Sequence, residues 1–372
     1  MYFQGKGAFA RLSPHTAGRS GRRQTAVHTN KVCPGGDYSM IRSFAKAAAG
    51  PVARALTSES ARVLMYHRFG DGSSRRSLGA RLFAAHLEYL TRHFRVRPLR
   101  EVVAALEEGR PLDDRTVVVT IDDGYADFAA YAYPALLRYE VPATVFLVSR
   151  FLDGDLWLWF DVVHYVLTRT TATSCAVHVG GELLRLDLSA REARDRAWSR
   201  VGERLLQMST SDRAAAIASL GAALDVVVPE RPTEDYAAMT WDQAARMDRA
   251  LIDFGSHTCT HPVLSRCGGE ELVSELQQSR RALSLRLGRN IDTFAYPHGE
   301  PADYDERAMA AVKAAGYSCA AVSYGGPLGR RPDLLQLTRL SAATELEQFR
   351  STVNGVELLA NKFRAWRHAA AF

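Results

Sequence analysis

Thr120-Ile121-Asp122-Asp123-Gly124-Tyr125 is the stretch that decides how this chain is read. Val117-Val118-Val119 precedes it, a β-branched apolar run that predicts a buried strand. Two carboxylates then arrive side by side, and Gly124 permits the tight turn that follows. Adjacent residues of an extended strand point to opposite faces, but a turn at the strand end can bring both toward one pocket. Two close carboxylates do not both stay ionised cheaply unless a cation sits between them or their roles differ. The pair therefore asks for a metal. Ser256-His257-Thr258-Cys259-Thr260-His261-Pro262 supplies candidate ligands. His257 and His261, with three residues between them, can meet one ion from a helical turn or a tight loop.

Outward from this stretch, short strand-like runs recur at 62–66, 117–121, 143–148, 251–256, 292–296, 318–323 and 335–340. Helical patterns lie between most of them, at 80–93, 99–108, 126–139, 241–249, 269–287 and 303–315. Strands alternating with helices argue for parallel βα units, and this number of strands fits a deformed (β/α)7 barrel better than an open sheet. His67, Asp122-Asp123, His257 and Tyr296-Pro297-His298-Gly299 each fall just after a strand, on the rim where barrel enzymes keep their chemistry. Residues 151–238 break the rhythm and read as a mainly helical insertion between two barrel strands. It holds an aromatic run, Trp157-Leu158-Trp159-Phe160, and a short hairpin turning at Gly180-Gly181. The aromatics read as packing anchors rather than a sugar platform. The expected division is 1–39 as a tag-derived or disordered extension, 40–150 with 239–372 as the barrel, and 151–238 as the insertion.

Composition is that of an ordinary globular chain of 372 residues, 47% hydrophobic and 24% charged. The net charge of +6 is a mild excess, partly in the first 32 residues, and no basic stripe with interleaved aromatics points to nucleic acid. Cys33, Cys175, Cys259, Cys267 and Cys319 are odd in number and widely spaced, which favours free thiols over a disulfide framework. No apolar run is long enough to span a membrane. Met1-Tyr2-Phe3-Gln4-Gly5 resembles the scar of a protease-cleavable tag, which makes Met40 the expected natural start. Residues 41–56 read as a packed leading helix. No secretory signal is visible, so a cytoplasmic location is expected, or a periplasmic or membrane-associated one if a native leader has been removed.

Taken together, these motifs resemble the polysaccharide deacetylase family, the NodB-homology domains of carbohydrate esterase family 4. The family's Thr-Phe-Asp-Asp-Gly is here Thr120-Ile121-Asp122-Asp123-Gly124, and its His-(Ser/Thr)-x-x-His is His257-Thr258-Cys259-Thr260-His261. Leu64-Met65-Tyr66-His67, Met239-Thr240-Trp241-Asp242 and Phe294-Ala295-Tyr296-Pro297-His298-Gly299 are similar to its exopolysaccharide branch. The resemblance covers roughly 60–150 and 239–342. It implies that Asp123, His257 and His261 hold a divalent metal, zinc first and cobalt or nickel as alternatives. It also implies that Asp122 is the general base that activates water at the metal, with acetate released from an N-acetylated carbohydrate. A backbone N–H near His298 would stabilise the oxyanion. Tyr125, Thr260, Tyr296, Pro297 and His298 are the residues assigned to substrate.

Two departures stand out. The family's third motif carries an Arg that orients the base, and Ala295 occupies that place. Arg339 is the first candidate replacement and Arg68 the second. The late catalytic His is also missing, since only His368 follows Leu340. His67 is therefore nominated as general acid, standing across the metal from Asp122. Cys259 is expected not to be a ligand. Another amide hydrolase on the same fold, or a catalytically weakened carbohydrate-binding member, are the alternative readings. The sequence does not fix the sugar or the oligomeric state.

Overall fold

Branched side chains at 117–119 take the extended conformation they favour and stand near the centre of a parallel sheet. The computed structural model describes residues 50–359 apart from 59, 330 and 357. The extension 1–39, Met40, the first part of the expected leading helix, and His368 lie outside the described residues; Gly50–Leu56 is helical.

The barrel strands are β1 (Arg62–Tyr66), β2 (Thr116–Ile121), β3 (Ala143–Leu147), β4 (Ile252–Ser256), β5 (Thr293–Ala295), β6 (Cys319–Ala321) and β7 (Leu340–Ser341). All run parallel in the order β6-β5-β4-β3-β2-β1-β7. The ring closes in two steps: Leu337 bridges Ala321 of β6, and β7 then pairs with β1. The fold is a deformed (β/α)7 barrel. Alternation along the strands divides the side chains. Val63, Val118, Phe146, Ala295, Ala321 and Leu337 form one buried cluster inside the ring, while Leu64, Val119, Val145 and Phe254 pack outward against helices.

The covering helices include α1 (Ala80–His93), α2 (Leu99–Glu107), α3 (Tyr133–Tyr139), α4 (Trp159–Arg169), α5 (Arg191–Leu205), α6 (Thr210–Ala223), α7 (Trp241–Ala245), α8 (Gly269–Leu287) and α9 (Glu306–Ala314). A π turn, Phe128–Ala132, leads into α3 directly after the aspartate pair; such turns recur near functional sites. Between β3 and β4, α4, α5, α6 and an antiparallel hairpin (Ser174–Val179 with Glu182–Asp187) share their own core. Phe160, Val163, Val201 and Leu220 are buried in it, and Tyr125, Val148 and Phe151 tie it to the barrel. Leu158 and Phe160 of the aromatic run are thus packing residues.

Three expected elements differ. The strand expected at 335–340 is a 3-10 turn (Leu334–Gln336), a bridge at Leu337 and a strand only at Leu340–Ser341. The Asp333 carboxylate accepts from the Leu335 N–H and bends the chain there. The helix expected to reach 249 stops at Ala245, because the Asp248 side chain captures the Ala250 N–H in a local turn. The pattern at 126–139 is split by its π turn.

Candidate active site

At the end of β2 the Asp122 N–H still bonds the Tyr66 carbonyl at 2.9 Å, continuing the ladder with β1. Asp123 then adopts φ 75°, which breaks the alternation. Gly124 follows at φ 91°, and a Cβ there would stand 2.7 Å from a Leu147 methyl, so the turn requires glycine. At the end of β4 the His257 N–H bonds Leu147 O at 2.8 Å, and Thr258 and His261 take φ values of 70° and 61°. His298, after β5, has φ 60°. Left-handed backbone at non-glycine residues costs free energy and gathers where geometry is functional; here four such residues surround one point.

Asp123, His257 and His261 meet there. Their Nε2 atoms lie 3.6 and 3.5 Å from Asp123 Oδ1, and all three side chains are buried. The His257 Nδ1–H donates to the Ala295 carbonyl at 2.7 Å, which turns the Nε2 lone pair toward Asp123. Burial pushes His257 down to about 3 and His261 well below its ordinary value, so both imidazoles are neutral. Neither Asp123 oxygen has a hydrogen-bond partner among the described residues. Burial first, and then the charge of Asp122, pushes the Asp123 carboxyl well above the usual carboxylate range. Orphaned buried oxygens facing neutral imidazole lone pairs are unfavourable unless a cation joins them. Donors around one tetrahedral zinc at about 2.0–2.2 Å are about 3.3–3.5 Å apart, which matches these separations. The residues fit a divalent metal.

Asp122 has the opposite surroundings. Arg339 Nη1 and Nη2 donate to its two oxygens at 2.7 and 2.8 Å, a bidentate pair at about 1% and 2% exposure. Arg339 is itself held by the Val322 carbonyl and the Thr120 hydroxyl, at 2.8 and 3.2 Å. Its guanidinium lies 5.7 Å over the ring of Phe146, a residue of the buried cluster inside the barrel. His67 Nε2 is 3.8 Å from Asp122 Oδ2, and burial lowers its pKa to about 3. His67 thus stands beside Asp122 rather than across the metal position, and it is neutral. Arg68 does not reach Asp122: it donates to Asp127 Oδ2 at 2.5 Å and lies 3.9 Å over the Tyr125 ring.

A cavity of about 130 Å³ opens at this point, with His67, Asp122, His257, His261, Tyr296 and His298 in its wall. The Tyr296 hydroxyl and His298 Nε2 are buried without hydrogen-bond partners among the described residues. Three residues assigned to substrate lie elsewhere. Tyr125 is fully buried and donates to Asp161 Oδ2 at 2.5 Å, beneath the cavity. The Thr260 hydroxyl is turned away to Glu275 at 2.7 Å, because Thr260 belongs to the loop's outer side. Pro297 is buried in the turn and does not line the cavity. Cys259 points away from the ligand cluster, its Sγ near the Glu275 carbonyl at 3.4 Å, and burial pushes its thiol up to about 11.

A family model for polysaccharide deacetylases matches residues 109–166 and 229–320. The matched stretches are similar to polysaccharide deacetylases and run past the barrel strands into the segment between β3 and β4. YxkH of Bacillus subtilis, assigned by name only to the polysaccharide deacetylases, is 32% identical over 89 residues, 24% of this chain. The chain spans about a third, 32%, of the length of that curated relative. Among solved structures, the deacetylase PplD of Streptococcus pyogenes in complex with acetate aligns with TM-score 0.52 at 18% identity, over 79% of this chain and 98% of that one. IcaB from Ammonifex degensii aligns with TM-score 0.53 at 18% identity, over 80% and 97%. Likeness at this identity establishes the shared fold.

Against the polysaccharide deacetylase motifs, the residue that sequence reasoning missed is Glu275 on α8. Its Oε2 accepts the Cys259 and Thr260 N–H groups at 2.8 and 2.9 Å, fixing the loop between the two histidines. Ser279, one turn further along, donates to the Thr258 carbonyl at 2.9 Å. The clue lay in the helix pattern: Leu272, Glu275, Leu276, Ser279 and Leu283 share the buried face, and a carboxylate in an apolar stripe needs a partner.

Proposed function

We propose that this protein is a metal-dependent hydrolase that removes the acetyl group from an N-acetylated carbohydrate, leaving a free amine and acetate. The observation that carries the reading is the orphaned Asp123 carboxylate between His257 and His261, directly beside an Asp122 clamped by Arg339. Asp123, His257 and His261 would hold the ion, with zinc fitting two imidazoles and a carboxylate and cobalt or nickel able to replace it. When bound, the ion supplies Lewis acidity to the amide oxygen and lowers the pKa of water at the site.

The chain's own residues do the rest. Asp122 accepts the proton of the attacking water, aimed by its two bonds from Arg339. Within the turn after β5, the Tyr296 and Gly299 N–H groups are already taken by Ala321 O and Pro297 O. Pro297 has no N–H, so the His298 N–H is the one left to face the developing oxyanion. The nitrogen leaves only when protonated. The proton that Asp122 has removed is handed to it through His67, 3.8 Å away, which begins neutral and therefore acts as a relay rather than as the first source. The C–N bond breaks, water's oxygen ends in acetate, and its proton on the amine. The Tyr296 hydroxyl and His298 Nε2 are free to hold substrate hydroxyls.

With Arg339 paired to Asp122, the place of the family's missing arginine is filled, which removes the main ground for a weakened, binding-only member. The test is acetate release from a panel of N-acetylated sugars after loading with zinc, cobalt or nickel. Release that depends on metal and disappears in Asp122→Asn supports the reading. Absence of acetate from every sugar with every metal rejects it.

A further inference from the structure

On the other side of His261 from the Asp122 cavity lies a second cleft, of about 510 Å³. It is built by the segment between β3 and β4. Trp157, Trp159, Ile217, Val226, Val228 and Pro262 give it an apolar wall, and α6 forms its floor with small residues such as Ala218. His261 lines both spaces, so the apolar cleft and the site of chemistry meet at one ligand residue.

One charged group lines this cleft. Arg213 is 2% exposed. Its Nε and Nη2 donate to the carbonyls of Leu205 and Met208 at 3.2 and 3.1 Å, and its guanidinium lies 5.0 Å over the Trp159 ring. Among the described residues no carboxylate pairs with it and Nη1 has no acceptor. Burial lowers its pKa only to about 10, so the cation persists at neutral pH. Glu271 and Asp303 act on it only from beyond ion-pair distance, and a buried charge without a direct partner is costly. Its partner is expected to arrive with a ligand.

The geometry points to a substrate in which the N-acetylated sugar is joined through a phosphate diester to a long apolar chain. The chain lies in the Trp157–Val228 cleft, the phosphate on Arg213 and the sugar at the Asp122 cavity. A neutral glycolipid or a long N-acyl group would leave Arg213 unpaired, and a carboxylate would end a chain rather than link it onward. A phosphate diester carries its charge between two substituents. The inference rests on the hydrolase reading above and narrows it from sugars in general to lipid-phosphate-linked saccharides.

Three compounds test it with the zinc-loaded full chain: a tetrasaccharide of N-acetylhexosamine, an N-acetylhexosamine 1-phosphate, and the ten-carbon prenyl diester of that phosphate. Each methylene buried in the cleft is worth about fourfold in affinity. The KM of the prenyl diester should therefore fall at least about a hundredfold below that of the sugar phosphate. Ala218→Glu, at an exposed position of the cleft floor, should cut that preference at least tenfold. Arg213→Gln should erase discrimination between phosphate diester and an uncharged prenyl glycoside; the Ala218 variant carries the test if the buried change impairs folding. Equal kcat/KM with and without the chain, a preference for the tetrasaccharide, or a prenyl preference that survives Ala218→Glu overturns the inference while leaving the hydrolase reading intact. Equal, Ala218-dependent binding to phosphatidylglycerol vesicles without any sugar also overturns it, since the cleft would then be a membrane contact. Acetate from none of the compounds returns the hydrolase reading to the full panel of sugars and metals. Calorimetric binding then decides this one: prenyl diester bound by wild type and weakened by Ala218→Glu supports it, and no binding overturns it.

Discussion

Asp122 and Asp123 are neighbours in sequence, both buried, and chemically the same group, yet their two sides of the site are built on opposite terms. On the Asp122 side, facing β1 and β7, each carboxylate oxygen accepts one bond from Arg339, which is itself tied to Val322 and Thr120. On the Asp123 side, facing the loop after β4, no donor among the described residues reaches either oxygen, and two neutral imidazoles stand 3.5 and 3.6 Å away. A carboxylate gripped by an arginine, with a lone pair left on each oxygen, is aimed and slow to turn, which suits a base. A carboxylate kept from all donors has only a cation to satisfy it. The left-handed backbone at Asp123 produces the contrast, because it sends successive side chains toward different partners around one cavity.

The strongest way to break this contrast is Asp123→Asn. Metal content after purification should drop toward zero and turnover by about a thousandfold or more, since the ion contributes several kcal/mol of charge stabilisation. The same residue sets the pH response. Its metal-free carboxyl titrates well above the usual range, and the cation must displace that proton. Affinity should therefore fall by about tenfold per pH unit once pH drops below that raised value, with one proton released per ion bound. His257 and His261 are pushed down and contribute none. Calorimetry in buffers of different ionisation enthalpy counts the proton, and in Asp123→Asn it should vanish.

Asp122→Asn comes next. Turnover should fall about a hundredfold or more, the usual scale for a positioned base, with metal content nearly unchanged. Equal metal loss in the two asparagine variants would abolish the distinction between the two sides. Arg339→Met follows: it leaves Asp122 buried without its partner, so about 3–5 kcal/mol of stability should be lost, read by denaturant unfolding. At temperatures where the variant stays folded, kcat should fall while metal affinity holds.

The two sides were not equally legible in the sequence. The Asp123 side is written locally: Asp122-Asp123-Gly124 and His257-x-x-x-His261 are short motifs at strand ends, and strand order brings two ends together. The Asp122 side depends on closure of the barrel. Arg339 lies 217 residues from Asp122, and only the pairing of β7 with β1 makes them neighbours. That pairing could be anticipated from a closed barrel, though the strand itself was misplaced because Asp333 turns the chain at 334–336. His67 was placed in the right cavity but on the wrong side of it, because a residue's direction after a strand end depends on loop backbone that no periodicity encodes. Tyr125 shows the same limit: it follows the motif and yet points into the core, onto Asp161, a residue of the segment whose packing the sequence did not reveal.

The smallest expected effect is also the sharpest test of the division. Glu275 touches only the Asp123 side. Its three bonds, to the N–H groups of Cys259 and Thr260 and to the Thr260 hydroxyl, hold the loop that carries His261. Burial raises its pKa, and those same bonds pull it back down, so the carboxylate is specific to this loop rather than to solvent. Glu275→Ala removes all three and should weaken metal affinity by about tenfold, the low end for outer partners of a metal site. Glu275→Gln keeps one acceptor oxygen for the two N–H groups and should cost less, about 1 kcal/mol. Neither change reaches Arg339, His67 or Asp122. At saturating metal, kcat and its pH profile should therefore match wild type in both variants. A kcat that stays low when the site is fully loaded would mean that the His257–His261 loop also positions the base, and the two carboxylates would have to be treated as one unit.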